Sequence, residues 1–274
     1  MDSLTSSDIL PFIAEPADLE KSLHHDQLLI LDLCNSQQYQ AGHIPNAIHV
    51  RPDELVSGEP PAAGKLPKIE RLNTLFSRLG LTSKTHVVVY DDEGGGWAGR
   101  LIWTLDVIGH KHSSYLNGGL HSWHAEGFPL TQELTERVPC HYHATISSEP
   151  MATKEDILHQ LKSANCTVWD ARSLEEYTGF RQTALRNGHI PNAVHCEWTE
   201  LMDQEKNFRL RSDLKHYLAT KGLDSTKNIV THCHSHHRSG LTYLAGKSLD
   251  FSIKAYDGSW SEWGNDPNTP IETY

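Results

Sequence analysis

A short loop near the end of the chain brings a thiol, several imidazoles and a guanidinium close together. The loop runs from Cys233 to Arg238 through four residues, His234, Ser235, His236 and His237. A β-branched run at 228–232 precedes it and predicts a buried strand, and a helix-compatible stretch follows at 238–248. N–H groups at such a strand-to-helix turn stabilise anions and lower the pKa of a thiol. Cys233 is therefore predicted to be a nucleophile that carries a covalent anion.

The spacing of the thiol and the guanidinium distinguishes two kinds of group transfer. Cys233 and Arg238 are separated by four residues, whereas phosphatases of this type use five and form a wider cradle for phosphate. No aspartate that could act as a general acid lies in or beside the loop. Both facts favour transfer of a single sulfur atom, and phosphatase activity is the alternative from another class of enzyme.

The histidines of this region invite interpretation as a metal site. His232, His234, His236 and His237 could converge with Cys233 on zinc. Ligands so close in sequence rarely complete a tetrahedron, and no second ligand set is evident, so we expect no metal. We interpret the histidines as a local positive field from partly protonated imidazoles, one of which also moves protons. The whole loop from His234 to Arg238 is then predicted to bind the substrate.

The elements that must position this loop occur twice in the chain. Three landmarks recur in the same order: GHIPNA at 42–47 and 188–193, a β-branched run at 86–91 and 228–233, and a Gly/Trp segment at 117–123 and 257–263. In this repeat Asp91 stands where Cys233 stands. GHIPNA itself predicts a turn, with glycine for a positive φ and proline for a fixed one.

Each half alternates strands with helices, which predicts an α/β fold with a mostly parallel sheet flanked by helices. We expect two tandem domains, at 1–132 and 151–274, joined by a linker at 133–150 that contains Pro139 and Pro150. Each half has the usual size of a domain. Two such pseudo-symmetric domains can cover each other's faces, so a monomer is expected.

Composition excludes several classes of partner. The net charge of -11 argues against nucleic acid, which calls for a basic face. No apolar run reaches about 18 residues, so no membrane span is expected. The first residues lack the basic and apolar regions of a secretory leader, which predicts a cytoplasmic protein. The five cysteines are dispersed without a C-x-x-C pair, so disulfides and zinc ribbons are not expected.

The chain resembles the rhodanese family, and in particular its tandem-domain bacterial thiosulfate sulfurtransferases. The resemblance covers nearly the whole chain and is carried by the 233–239 loop, both GHIPNA segments, Asp170-Ala171-Arg172 with Glu176-Tyr177, and Asp257-Gly258-Ser259-Trp260. It implies that thiosulfate gives its outer sulfur to Cys233 and leaves as sulfite. The persulfide then passes sulfur to cyanide, a thiol or a thioredoxin-like acceptor, without a cofactor. The first half is implied to be catalytically silent, because Asp91 stands in place of Cys233 and the acidic loop Asp91-Asp92-Glu93 would repel a sulfur anion.

The same family contains mercaptopyruvate sulfurtransferases, whose loops have the form C-G-S-G-V-T. This chain has no glycine between Cys233 and Ser239, so it looks like the thiosulfate branch. Mercaptopyruvate sulfur transfer remains an alternative. A persulfide carrier for one specific acceptor protein is another.

Several residues outside the loop are candidates for contact with the substrate. Arg186, like Arg181, lies in an insertion found only in the second copy, and either binds the sulfonate end of thiosulfate or is solvated. Lys247 lies late in the helix after the loop, either at the surface or at the site. Trp198 and Trp260 either line the pocket or belong to the core.

Two further groups of residues are predicted to be structural. Asp170 and Arg172 are expected to form an internal ion pair that fixes the first strand of the second half against the loop. The remaining thiols, Cys34, Cys140, Cys166 and Cys196, are expected to be inert, since none lies in a comparable loop.

Overall fold

A computed structural model describes residues 9–163 and 166–274 of the chain. The first eight residues, on which much of the expectation about a leader rests, and residues 164–165 lie outside this part. Within it, no helix is both long and apolar enough to cross a membrane.

The first half is built on a five-stranded parallel sheet with the strand order β1-β5-β4-β2-β3. Its strands are β1 (Ile13–Ala14), β2 (Leu28–Asp32), β3 (Ala47–His49), β4 (His86–Tyr90) and β5 (Ser113–Leu116). Its helices are α1 (Pro16–Ser22), α2 (Ser36–Ala41), α3 (Ile69–Arg78), α4 (Gly96–Val107) and α5 (Gly119–Ala125), with a 3-10 turn at Pro52–Leu55. All five residues of β4 are buried, as expected for a β-branched strand covered on both faces.

The second half repeats this plan around a four-stranded parallel sheet with the order β11-β10-β6-β7. Its strands are β6 (Thr167–Asp170), β7 (Val194–His195), β10 (Asn228–His232) and β11 (Ser252–Ala255), with a small antiparallel pair formed by β8 (Met202–Asp203) and β9 (Arg209–Leu210). Its helices are α6 (Lys154–Ser163), α7 (Leu174–Thr178), α8 (Leu214–Thr220), α9 (Arg238–Ser248) and α10 (Ser259–Trp263), with 3-10 turns at Trp198–Leu201 and Gln204–Lys206. The prediction of two α/β halves with mostly parallel sheets is confirmed.

The segment between the two sheets lies along the first half. The N–H of Cys140 donates to the carbonyl of Ser77 (2.9 Å), and that of Ser147 donates to the carbonyl of Val107 (2.7 Å). The domain boundaries at 132 and 151 stay a prediction.

The repeated GHIPNA segment is locked by the tyrosine that precedes it in each half. Tyr39 stacks on His43 with ring centroids 3.9 Å apart, and Tyr177 stacks on His189 at 3.8 Å. In both halves Nδ1 of the histidine lies 2.8 Å from the carbonyl of that tyrosine. The motif therefore fixes the connection between a helix and the next strand.

The left-handed residue of this turn differs from the one expected. Gly188 has a φ of 112°, but Gly42 is extended at 165°. Asn46 and Asn192 adopt positive φ in both halves, at 67° and 59°. Asparagine tolerates this conformation better than most residues with a side chain. The prediction that glycine supplies the positive φ is wrong for the first copy.

Helices α4 and α9 hold the two halves together at a glycine contact. A Cβ added to Gly99 would lie 2.2 Å from the carbonyl oxygen of Gly240, and one added to Gly240 would lie 2.4 Å from that of Gly96. The backbones of the two helices therefore touch, as small residues allow. Because each helix begins directly after a strand-end loop, this crossing brings the two loops side by side.

Candidate functional site

Cys233 follows the last residue of β10 and is almost fully buried, with 1% of its surface exposed. Its N–H donates to Oγ of Ser259 (3.3 Å), and its carbonyl accepts from the N–H of Trp260 (3.0 Å). In the first half, the carbonyl of Asp91 accepts from the N–H of Leu120 (3.0 Å) in the same way. Cys233 and Asp91 thus occupy equivalent positions.

The loop above the thiol presents backbone N–H groups that are free to bind an anion. Within the described residues, the N–H groups of Ser235, His236 and His237 have no acceptor. His236 has a φ of 54°, so the chain turns back over Cys233 at this point. The Ser239 hydroxyl donates to Sγ of Cys233 (3.5 Å), beside the N–H of the same serine. The loop is a nest for an anion centred on the sulfur.

A buried imidazole supports that hydroxyl. Nδ1 of His236 lies 2.7 Å from Oγ of Ser239. Because the serine proton is directed to the sulfur, Nδ1 must carry a proton and donate. Burial lowers the pKa of His236 well below its usual value, and the nearby charge of Arg100 lowers it further. The imidazole is therefore neutral and acts as an orienting donor.

The pKa of the Cys233 thiol results from opposing effects. Burial raises it, but the charge of Arg238, the hydrogen bonds from Ser239 and the charge of His237 lower it by more. The net pKa lies below that of an ordinary thiol, so the thiolate is favoured.

Three of the other thiols have the opposite electrostatics. Burial raises the pKa of Cys166 to about 11 and that of Cys196 to about 12, and it raises that of Cys34 further. Cys140 donates its thiol proton to the carbonyl of Leu81 (3.0 Å). These contacts agree with the expectation that the four remaining cysteines are structural.

Arg238 is held beside the thiol by a fork-to-fork ion pair. Its Nη1 and Nη2 donate to Oε2 and Oε1 of Glu176, at 2.5 and 2.9 Å. Glu176 is itself buried in the first turn of α7, where it caps the helix with Ser173. Burial raises the pKa of Glu176, but its contact with Arg238 lowers it by more. The cation is thus fixed in place and permanently charged.

The predicted ion pair lies at the end of β6, the strand next to β10. Arg172 and Asp170 are fully buried, with Nη2 and Oδ2 2.6 Å apart. The guanidinium also donates to the carbonyl of Gly188 (2.8 Å) and lies 4.2 Å above the ring of Trp260. The prediction of an internal ion pair is confirmed, and Trp260 belongs to the core, where it is 1% exposed.

His237 differs from the other imidazoles because it faces the first half. Its Nε2 forms an ion pair with Oε1 of Glu93, and its ring stacks on Trp97 with centroids 4.5 Å apart. The ring of Trp198 lies 5.7 Å away, so this predicted substrate contact is at the loop. Burial lowers the pKa of His237, but Glu93 raises it by more. Trp97 was not singled out from the sequence, and Glu93 was considered only as part of an acidic loop that would repel a sulfur anion.

The pKa directions of the histidines differ from the expected positive field of several partly protonated imidazoles. Burial lowers the pKa of His232, His234 and His236, which disfavours their charged forms, whereas Glu93 raises the pKa of His237 against the effect of burial. The interpretation of several charged imidazoles is therefore wrong. Within the described residues, no cluster of three or more His, Cys, Asp or Glu could hold a metal ion.

His234 and Ser235 form the outer part of the loop. Both are half-buried, and the carbonyl of His234 accepts from the N–H of Ser261 (2.9 Å). Gly64 of the first half approaches Ser235 so closely that an added Cβ would lie 2.1 Å from its carbonyl oxygen. The loop is thus backed by both halves of the protein.

Two of the predicted substrate contacts have partners within the chain. The guanidinium of Arg186 donates to the carbonyls of Thr269 (2.9 Å) and Trp263 (3.1 Å), where it secures the C-terminal segment. Nζ of Lys247 pairs with Oδ1 of Asp106 (2.6 Å). At a helical rise of about 1.5 Å per residue, Lys247 lies roughly 13 Å along α9 from Arg238, the first residue of that helix. These contacts give both residues a structural role, so neither is carried into the proposed site.

The equivalent nest in the first half is filled by the protein itself. Oδ1 of Asp91 accepts from the N–H groups of Glu93 (3.2 Å), Gly94 (3.1 Å) and Gly95 (2.8 Å), and Oδ2 accepts from that of Ala98 (3.0 Å). Burial raises the pKa of Asp91 to about 6, and the charge of Glu93 adds to this, against the effect of the N–H donors. The carboxylate occupies the place that an incoming anion would take.

Comparison with known proteins extends over both halves. Rhodanese-like domains match residues 15–126 and 153–266. The thiosulfate sulfurtransferases of Azotobacter vinelandii and Pseudomonas aeruginosa are 47% and 46% identical over 264 residues, which cover 96% of this chain and 97% of each relative. The crystal structure of SseA from Escherichia coli, a 3-mercaptopyruvate sulfotransferase of the "rhodanese" fold, matches with a TM-score of 0.80 at 26% identity, covering 91% of this chain and 98% of SseA.

Proposed function

The chain belongs to the rhodanese family, and we propose that it is a thiosulfate sulfurtransferase in which Cys233 carries the sulfur. One observation supports this choice of residue above all others. The thiol of Cys233 is buried under free N–H groups and beside the fixed charge of Arg238, and its pKa is lowered. Such a site stabilises negative charge on the cysteine sulfur and on a second sulfur bonded to it.

In the first step, the Cys233 thiolate attacks the outer sulfur of thiosulfate. A new S–S bond forms, the S–S bond of thiosulfate breaks, and sulfite leaves with the bonding electron pair. The negative charge moves to the terminal sulfur of the persulfide. Arg238 attracts the anionic donor, and the N–H groups of Ser235, His236 and His237 receive the persulfide charge.

In the second step, an acceptor nucleophile attacks the terminal sulfur of the persulfide. The S–S bond breaks toward Cys233, which leaves as a thiolate that Arg238 and Ser239 stabilise. Cyanide becomes thiocyanate, and a thiolate becomes a persulfide. A thioredoxin-like protein is a suitable thiol acceptor. Thiosulfate supplies the sulfur in its transferable oxidation state, so neither step needs an oxidant.

A second candidate donor is 3-mercaptopyruvate, because SseA shares the fold over nearly its full length. Its sulfur would reach the same thiolate, with pyruvate as the product that leaves. The loop here presents His234, Ser235, His236 and His237 in place of small residues, which favours the compact donor thiosulfate. Parallel assays with the two donors distinguish these substrates.

The protein is further proposed to act as a monomer in the cytoplasm. The faces of α4 and α9, which each half would otherwise expose, are already buried against each other. All five thiols are unpaired, which is typical of a reducing compartment.

Intact-mass spectrometry tests the proposed carrier directly. The wild-type protein should gain the mass of one sulfur atom with thiosulfate and lose it again with cyanide. Cys166→Ala removes a half-buried thiol of the same half and should behave like the wild type. Cys233→Ala should neither gain mass nor release sulfite. Sulfite release by Cys233→Ala would show that another residue carries the sulfur.

A further inference from the structure

We propose that Glu93, which belongs to the half without a nucleophile, is a positioning residue for sulfur transfer that holds His237 in its charged form against the loop of Cys233. The inference deepens the proposed function and rests on it. It assigns the first half a part in the chemistry, although Asp91 stands in place of its nucleophile.

The backbone of Glu93 is fixed by the filled nest of the first half. Its N–H donates to Oδ1 of Asp91 (3.2 Å), as do those of Gly94 and Gly95. The side chain of Glu93 reaches across the boundary between the halves and pairs with Nε2 of His237. Asp91 therefore anchors the segment from which Glu93 reaches the other loop.

The contact depends on a glycine and on two aromatic rings. A Cβ on Gly96 would lie 2.6 Å from Nε2 of His237 and 2.7 Å from Oε1 of Glu93, so a side chain at this position would push the pair apart. Trp97 stacks on the imidazole, with an interplanar angle of 30°, and Trp198 lies on the side of the second half. The ring of His237 is thus oriented by both halves.

Several ionisable groups surround the imidazole. They are Glu93 and Asp91 from the first half and Cys233 and His236 from the loop. Two guanidinium groups lie one contact further out, Arg100 of α4 beside His236 and Arg238 of α9 beside Cys233. Burial lowers the pKa of His237, whereas Glu93, Cys233 and Asp91 raise it, with a net rise. His237 therefore keeps its proton to a higher pH than an ordinary histidine.

The charge of His237 matters because it acts on the nucleophile. It lowers the pKa of the Cys233 thiol together with Arg238. If Glu93 is neutralised, burial dominates, and His237 loses its proton at a lower pH. Near neutral pH the thiolate and the persulfide would then lack one of their neighbouring cations, while Arg238 and Arg100 remain. Glu93 acts on the sulfur only through this histidine.

The test is the pH dependence of Cys233 alkylation by iodoacetamide in the full-length protein, measured for Glu93→Gln. The midpoint should move to higher pH by about half a unit to one unit, which lowers the rate near pH 7 about three- to tenfold. Asp92→Asn is the matched control, because it removes the same charge from the same loop, but its partner is Nδ2 of Asn35 (2.7 Å). Its profile should match the wild type.

A second variant and a double-mutant cycle identify the route of the effect. Gly96→Ala keeps both charged residues but separates them, so it should shift the profile in the same direction. In a His237→Gln background, Glu93→Gln should change nothing further. The inference is overturned if Glu93→Gln behaves like Asp92→Asn, or if its effect persists without His237.

Different measurements test the role of Glu93 and the proposed function. Alkylation reports the thiolate and needs no turnover, whereas uptake of sulfur from thiosulfate reports the reaction. Uptake should slow in Glu93→Gln by the same factor as alkylation. A wild-type protein that takes up no sulfur would overturn the proposed function, whereas an unshifted alkylation profile would overturn only the role of Glu93.

Discussion

Ser239 links the thiol of Cys233 to a buried imidazole, and replacing it by alanine removes both contacts at once. Its hydroxyl donates to Sγ of Cys233 (3.5 Å) and accepts from Nδ1 of His236 (2.7 Å). A hydrogen bond to a charged group contributes about 1.5–3 kcal/mol, and a weak acceptor such as sulfur belongs at the lower end. About 1.4 kcal/mol corresponds to one pKa unit. Ser239→Ala should therefore raise the pKa of Cys233 by about one unit.

The substitution should also cost stability, because Nδ1 of His236 is left without a partner in a buried site. An unpaired buried donor costs about 1–3 kcal/mol, so the free energy of unfolding in urea should fall by that amount. The thiol pKa is read from the ultraviolet absorbance of the thiolate against pH. Ser248→Ala is the control, since it removes from the same helix a hydroxyl that donates only to the carbonyl of Ala245. A folded Ser239→Ala protein with an unchanged thiol pKa would refute this account of the site.

Two further predictions concern the buried charges. Arg172→Met leaves the carboxylate of Asp170 buried without its partner and should lower the free energy of unfolding by about 3–5 kcal/mol. The double variant that also carries Asp170→Asn should recover part of this loss. Chemical denaturation measures the stability of both variants. Asp91 has a folded-state pKa raised to about 6, so the folded protein binds more protons than the unfolded chain between about pH 4 and pH 6. The contribution of Asp91 to stability should fall as the pH rises through this range, and Asp91→Asn should remove that slope; an identical pH dependence in both proteins would contradict it.

The parts of the fold that the sequence predicted best are those with a strong local pattern. The β-branched runs at 86–91 and 228–233 are observed as β4 and β10, and the helix expected at 238–248 is observed as Arg238–Ser248. The GHIPNA turn was recognised as a turn, but its left-handed residue was placed at Gly42. The backbone there is extended, and Asn46 takes the positive φ instead. The residue types of the motif indicate that a turn exists, but they do not show which residue adopts the positive φ.

In the candidate site, too, the residues that the sequence could place are those with a strong local pattern. The placement of Cys233 and Arg238 in one loop could be predicted because the strand, the loop and the helix that position them are contiguous in the chain. Arg186 and Lys247 could not be placed, since a sequence reveals a cation but not its partner, and theirs turned out to be backbone carbonyls and Asp106.

The contact between Glu93 and His237 could not have been predicted from local sequence patterns. Glu93 lies 144 residues from His237, and its contact exists only because α4 and α9 cross at Gly99 and Gly240. The glycines of the first loop were visible in the sequence, but nothing indicated which surface they approach. Long-range contacts of this kind depend on tertiary packing, which local patterns do not encode.

The two nests of the molecule show why one duplicated scaffold can serve two purposes. In the first half, Asp91 satisfies four N–H donors during folding, so the loop is internally neutralised and has no room for another anion. In the second half, the equivalent donors surround a thiol that cannot accept all of them, which leaves N–H groups unpaired at a cost in stability. That cost is recovered only when charge develops on the sulfur or on an atom bonded to it. The filled nest meanwhile holds Glu93 rigidly enough to support His237. The half that carries Asp91 therefore contributes a rigid support, and the half that carries Cys233 can leave its donors free for an anion.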